Sequence, residues 1–387
     1  MWLSSLLSMA AMNMQMITRV WLVLRLRDDS PLAVVYITMT FAVPVVVVSL
    51  IGGVLADRFP KKKMMVFAQS GNCVLTLLVA LLDVTGAISF WHLMVVGLAN
   101  GSLMAVNMPS RQAILSEILP EDKLINGIAM QSSAMNVTSI MGPAVAGLLI
   151  VYIDTSGVFF IVAGAYLLSV AAVSMIDTGG QSRPTSGDGV SGEIRVGFAY
   201  VTGNSVLLGL VIMAFIPVLF GMSYFVLIGP WAREALDVGA EDLGLLMTTM
   251  GAGALIGSLT LASVRRFNSR GAVLLAMCVA WGVALAFFAQ SSSYASAIPL
   301  LLFVGLVSSV YRSLSMAMLQ LYSKPEMRGR VTSIAMMTFG VMPLSAVPFG
   351  IIAERFGTPD ALMLSGILLA GATVLFAVFY PSFRRIP

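Results

Sequence analysis

Charge is scarce in this chain of 387 residues: Asp, Glu, Lys and Arg make up 10% of it, against 58% hydrophobic residues, and the mean hydropathy is +0.95. A soluble domain carries about 25% charged residues, so a solvated globular surface is excluded and the solvent must be lipid. Cysteine is nearly absent, with Cys73 and Cys278 each inside an apolar run; this excludes a disulfide framework and a zinc-ligand spacing and leaves two small apolar thiols. Histidine occurs once, His92, and without a companion ligand it reads as structural, so no metal and no cofactor is expected. No Gly-x-x-x-x-Gly-Lys-Ser/Thr run occurs, which excludes a P-loop ATP site in this chain. The net charge of +4 is spread over loops instead of gathered on one face, so no nucleic-acid partner is implied. No catalytic constellation stands out, and an enzyme is not expected.

What is present is apolar sequence in runs of about 20 residues, the length needed to cross the hydrocarbon core as a helix. Twelve such runs are read, at about 2–24, 32–55, 64–83, 90–118, 124–151 and 158–176 in the first half. The second half repeats the count at about 206–228, 243–262, 272–288, 297–322, 331–353 and 361–380. The fold class is therefore an all-α integral membrane protein of twelve transmembrane helices in two six-helix halves, residues 1–176 and 205–387. They are joined by the polar, Gly- and Ser-rich linker 177–204. The first run is too long for a signal-peptide core and lacks a basic segment before Trp2, so it is read as a span. The 27 methionines are read as core residues standing in for Leu, not as soft metal ligands.

Lys and Arg alternate between loops in a way that fixes orientation. Arg58, Lys61, Lys62, Lys63, Arg111, Lys123, Arg265, Arg266, Arg270, Lys324, Arg328, Arg330, Arg384 and Arg385 fall on one side, with Arg183 and Arg195 of the linker. Only Arg25, Arg27, Arg233 and Arg355 fall on the other. Both termini are thus expected in the cytoplasm.

The halves echo each other. Pro120-Glu121-Asp122-Lys123, then Ile128-Ala129-Met130 and Gly147, is matched by Pro325-Glu326-Met327-Arg328, then Ile334-Ala335-Met336 and Gly350. Ala56-Asp57-Arg58-Phe59 has a weaker echo in Val264-Arg265-Arg266-Phe267. Duplicated halves that rock around a central site are a common plan of transporters.

Four segments carry a resemblance to a known family. Gly53-Val54-Leu55-Ala56-Asp57-Arg58-Phe59-Pro60-Lys61-Lys62 resembles the Gly-x-Leu-Ala-Asp-Arg-x-Gly-Arg-Arg loop of the major facilitator superfamily, with Pro60 in place of the second Gly. Pro109-Ser110-Arg111-Gln112-Ala113-Ile114-Leu115 with Glu117, Gly142-Pro143-Ala144-Val145-Ala146-Gly147, and Met327-Arg328-Gly329-Arg330-Val331 resemble the branch of drug, macrolide and siderophore exporters. The resemblance implies the major facilitator fold, a few residues before Trp2, and transport of a small molecule driven by protons. It also implies a cytoplasmic latch of Gly53, Asp57, Arg58, Lys61, Lys62 and Arg111 that holds the outward-facing state, and an exporter-type helix bend at Gly142, Pro143 and Gly147.

The residues themselves support part of this. The Asp57 carboxylate can favour the positive start of the following helix and pair with Arg111, while the lysines beside it also serve topology. An ionised side chain inside a span costs at least about 2.5–3.5 kcal/mol unless it meets water or a partner, so Arg19 and Arg312 should not face lipid. Arg312 is read as facing the central cavity; Arg19 either does so or snorkels to the interface, and Gln15 shares its face. Pro217, Pro343 and Pro348 interrupt other spans, and Gly253 with Gly257 makes a close-packing step. Asp83, Glu117 and Glu354 lie near span ends, so the residues show no midplane proton relay. The expected function is secondary active efflux of amphipathic small molecules from the cell membrane, with small molecule, proton and membrane lipid as partners. An importer on the same fold and a non-transporting sensor or enzyme are the alternatives.

Overall fold

The computed structural model describes residues 1–58, 60–118, 121–176, 198–263, 269–324 and 341–386, together with 196, 327, 331 and 334; side chains at 49–58, 109, 112–113, 115–117, 121–126, 128–129, 132–133, 136 and 343–344 lie outside that description. The helices are α1 (Trp2–Leu26), α2 (Pro31–Arg58), α3 (Lys61–Val84), α4 (Phe90–Ile118), α5 (Glu121–Ser174), α6 (Ser205–Ile216), α7 (Tyr224–Leu236), α8 (Ala240–Ser263), α9 (Arg270–Ala289), α10 (Tyr294–Tyr322), α11 (Met342–Phe356) and α12 (Thr358–Phe379). A π-turn, Pro217–Gly221, links α6 to α7, and a 3₁₀ turn, Pro381–Arg385, follows α12. No strand occurs among the described residues.

Nine helices or helical stretches among the described residues are long and apolar enough to cross a membrane. The twelve spans read from the sequence are consistent with that set, because α5 holds two of them. Its 54 residues would make a rod of about 81 Å, far beyond a hydrocarbon core of about 30 Å. Asp154, at φ 59° and ψ 177°, is the non-helical residue that divides it. The seventh span is longer than expected: α6, the π-turn and α7 carry it from Ser205 to Leu236.

The distribution of side chains shows what solvent these helices meet. On α3, Gln69, Asn72 and Thr76 are buried, while Phe67 (68% exposed), Val74, Leu78 and Leu81 point outward. Polar groups inside and aromatic or aliphatic groups outside is the pattern of a helix in hydrocarbon. Hydroxyls within the helices bond back to the preceding turn, as Thr18 does to Met14 O (2.9 Å) and Thr138 to Ala134 O (2.8 Å), which pairs them where no water is present.

The chain forms two compact units: Met1–Ser186 with Val238–Thr248, and Gly187–Asp237 with Thr249–Pro387. In the first, α1 and α3 pack on α5, and α2 packs on α4. Glycine sets the α2–α4 separation: a Cβ at Gly101 would overlap the Phe41 carbonyl. In the second, α9 packs on α12 and α10, and a Cβ at Gly253 or Gly257 would overlap the carbonyls of Leu302 or Leu306 on α10. The close packing expected of those two glycines is thus present.

The units differ inside. The first buries Gln15, Gln69, Asn72, Asn100, Asn107 and Arg111, whereas the polar groups buried in the second are hydroxyls among aromatic rings. Tyr224 meets Trp281 edge-on at 6.3 Å, and Trp231 lies 4.2 Å from Phe288 and donates from Nε1 to Ala289 O at 2.9 Å.

Candidate functional site

The polar interior of the first unit holds three of the residues singled out from sequence, Gln15, Arg19 and Arg111. Gln15 is buried; its Nε2 donates to Thr76 Oγ1 (3.0 Å) and its Oε1 accepts from the Tyr166 hydroxyl (3.3 Å). Arg19, one turn further along α1, is within electrostatic range of the same Tyr166. Arg111, on α4, is also within electrostatic range of Tyr166. It is 5% exposed, and its NH2 donates to Ser8 Oγ at 2.6 Å. Tyr166 thus lies within electrostatic range of two guanidinium groups, and Gln15 ties it to Thr76 on α3. Sequence reading missed it; the signal available was a phenol at the centre of the predicted sixth span.

Beneath this layer, Met65, Ile114 and Val173 form a buried apolar cluster. Lys62 donates from Nζ to Ile176 O at 2.6 Å, so it neutralises the carbonyl end of α5, where a cation is favoured. Lys61 also has a partner. The side chains of Gly53, Asp57 and Arg58, the core of the expected latch, lie outside the described residues. So do Phe59, residues 177–195 and 197 of the linker, and Arg328-Gly329-Arg330. Pro60 has φ −57° and precedes α3 directly, an ordinary proline conformation that calls for no glycine there.

Helical dihedrals persist through Gly142 and Pro143, and Asp154 is the non-helical residue of α5. What Gly142 and Gly147 provide is close approach. A Cβ on Gly142 would stand 2.6 Å from Asn13 Cβ, one on Gly147 2.5 Å from Ala240 O, and one on Gly244 2.8 Å from Pro143 O. The glycines thus bring backbones together along α5 within the first unit.

In the second unit, Arg312 on α10 is half-buried and within electrostatic range of the Tyr224 hydroxyl on α7, beside Ser308. Pro217 has no N–H to give Met213 O, and the Tyr311 hydroxyl takes that carbonyl instead. Ser345 donates to Val218 O (2.8 Å) and Ser365 to Phe220 O, so the π-turn's carbonyls find neighbouring helices, as an interrupted span in lipid requires.

At the end of the first unit opposite Lys61–Lys63 stands a network that sequence reading did not assemble. Arg25 NH2 lies 2.6 Å from Asp83 Oδ1, and its NH1 lies 2.8 Å from Asp154 Oδ1. Asp83 is also bonded by Thr155 Oγ1. Partial burial alone would raise the Asp154 carboxyl, but the Thr155 N–H and Arg25 outweigh it and hold the group below its ordinary value. The second unit has a counterpart: Gly357 (φ 97°, ψ 151°) stands where the first has Asp154, and the N–H of Thr358 donates to Glu234 Oε2 at 2.8 Å. A positive-φ residue followed by a buried Thr thus opens the last segment of each unit. Elsewhere, His92 Nδ1 accepts from Ser89 N at 3.0 Å, a local cap. Among the described residues no group of His, Cys, Asp and Glu could hold a metal ion.

This architecture, with apolar outer faces and buried polar layers, is that of a multi-pass membrane transporter. Residues 1–384 match a family of the major facilitator superfamily described as transmembrane secretion effector, and the chain belongs to it. It is therefore a secondary transporter of small molecules and not an enzyme. It is 24% identical to the staphyloferrin A transporter of Staphylococcus aureus, over 86% of this chain and 84% of that one. It is also 24% identical to the multidrug efflux pump Tap of Mycolicibacterium fortuitum, over 95% and 91%, and to macrolide efflux protein A of Streptococcus pyogenes, over 86% and 83%. Among solved structures it resembles a bacterial homologue of the human lysosomal transporter Spinster, with TM-score 0.73, 14% identity and coverage of 99% and 94%. The nucleoside transporter NupG gives 0.71, 13%, 99% and 98%. At those identities the likeness speaks to fold alone.

Proposed function

We propose that this transporter exports amphipathic small molecules across the cell membrane by alternating access, driven by proton entry, with both termini in the cytoplasm. The observation that carries the reading is the α5 segment Gly142–Gly147: it matches the exporter-type element, and its glycines admit backbone contact on two sides, with Asn13 and with Ala240. Relatives named as efflux proteins match it nearly end to end. The bias of Lys and Arg toward one set of loops supports the orientation.

In this reading Arg19, Arg111 and Tyr166 form the polar layer of the first unit, and Arg312 with Tyr224 offers a cation and a phenol in the second. Asp57, at the end of α2, acts as the conformational latch together with Gly53, Arg58 and Lys61. Lys62 and Arg111 hold their positions through Ile176 O and Ser8.

The test is extrusion of a hydrophobic fluorescent dye from energised cells that express the wild type or Asp57→Asn, with and without a protonophore. Extrusion that needs the wild-type chain and collapses with the protonophore is expected, with loss of transport in a variant that still reaches the membrane. Accumulation of dye would overturn the direction, indifference to the protonophore would overturn the coupling, and unaltered transport by Asp57→Asn would remove the latch.

A further inference from the structure

The second unit carries a groove of about 660 Å³ that none of the roles above uses. Its floor is α9, where Ala272, Ala276, Ala280 and Ala284 recur every fourth residue. Phe303 of α10 and Val374 of α12 form its walls. The floor runs on to Phe287, fifteen residues from Ala272, which is about 22 Å along a helix. The lining is almost wholly apolar except at one end, where Arg384 stands.

The position of that arginine is built. The 3₁₀ turn Pro381–Arg385 is strapped to the start of α9: Gly271 N donates to Ile386 O at 3.2 Å, and Ser269 Oγ donates to Arg384 O. A Cβ on Gly271 would overlap the Phe383 carbonyl, so only glycine lets the strap lie this close. Phe383 is buried and packs edge-on against Phe376 at 5.2 Å. With its own carbonyl and its neighbour Phe383 anchored, the exposed Arg384 stands at the groove mouth.

We propose that this groove is a binding site for an anionic phospholipid, with the phosphate on Arg384 and one acyl chain laid along the alanine floor. Three features select that occupant. The guanidinium fork matches phosphate oxygens. The charge stands at one end of the groove only, as in a phospholipid, whereas a helix of a second copy would need apolar contact along its whole length. The groove begins at the end of α9 that carries the basic strap and runs past half of a hydrocarbon core of about 30 Å, so a chain from the adjoining leaflet can fill it. That leaflet is cytoplasmic under the orientation proposed above.

Native mass spectrometry of the purified transporter, titrated with phosphatidylglycerol or phosphatidylcholine of identical acyl chains, tests this. The wild type is expected to retain one tightly held lipid and to favour phosphatidylglycerol about fivefold, the scale of one arginine at an anionic surface. Arg384→Gln should bring the two lipids to parity while a lipid still binds. Ala280→Phe should fill the groove and abolish retention of both; Ala276→Leu serves the same purpose should the Phe variant fail to fold. Wild type without a retained lipid, retention unchanged by both alanine variants, or preference unchanged in Arg384→Gln would each overturn the site. Dimers that the alanine variants dissociate would assign the groove to a second copy instead.

Discussion

Tyr311→Phe is the sharpest test of how the seventh span survives its proline. Pro217 cannot donate to Met213 O, and in lipid no water replaces it; the Tyr311 hydroxyl does so from α10, where the side chain is 3% exposed. Deleting one oxygen leaves ring packing against Trp281 (6.1 Å) in place and orphans a buried carbonyl, which costs about 1–3 kcal/mol. At about 2 kcal/mol the ratio of folded to unfolded transporter falls roughly 30-fold. The partner variant gives the argument its sign. Pro217→Ala restores an N–H one turn from Met213 O, so Tyr311→Phe in the Pro217→Ala background should cost less than about 0.5 kcal/mol. Reversible unfolding in mixed micelles, followed by far-ultraviolet circular dichroism, measures all four corners of the cycle. Equal cost in both backgrounds would refute the account and reduce the hydroxyl to a bystander.

Two further outcomes follow from other contacts. Arg25→Gln should destabilise the first unit more than Asp83→Asn: the first strands a carboxylate whose side chain is 2% exposed, the second strands a guanidinium that is 42% exposed and still holds Asp154. Stranding a buried charge costs about 3–5 kcal/mol at full burial, and partial solvation of Arg25 brings the expectation for Arg25→Gln to about 2 kcal/mol; thermal unfolding in nanodiscs should show that order, and a reversed order would sink it. On α5, Gly147→Ala meets Ala240 O and should cost about 1–3 kcal/mol by overpacking, whereas Gly164→Ala enters open space and should gain about 0.5–1 kcal/mol of helix propensity; the same melts would reveal any agreement in sign.

The polar residues follow a consistent logic. From sequence Arg19 and Arg312 read as charges inside spans and Arg111 as part of a cytoplasmic latch; in the fold, each is within electrostatic range of a phenol, Tyr166 or Tyr224. A phenol adds a polar group without bringing a second charge into the span.

Much of this protein was legible in sequence because its solvent writes the rules. Hydrocarbon forces unbroken backbone hydrogen bonding, so each span shows as an apolar run, and the paucity of charge gives the class. The family could be read as well, since the Gly53–Lys62, Pro109–Glu117 and Gly142–Gly147 segments stand in order along the chain. Periodicity did not reveal which polar side chains meet. Gln15, Thr76 and Tyr166 lie on three helices, and Arg25, Asp83 and Asp154 come from ends separated by up to 129 residues. The strap that fixes Arg384 joins the last turn of the chain to the start of α9. Such pairs depend on the rotation and depth at which helices pack, which side-chain volume and glycine contacts decide. The sequence by itself determined the solvent, the spans and the family; only the tertiary structure decided which buried groups find one another, because in lipid each helix is complete on its own and its partners are chosen by packing.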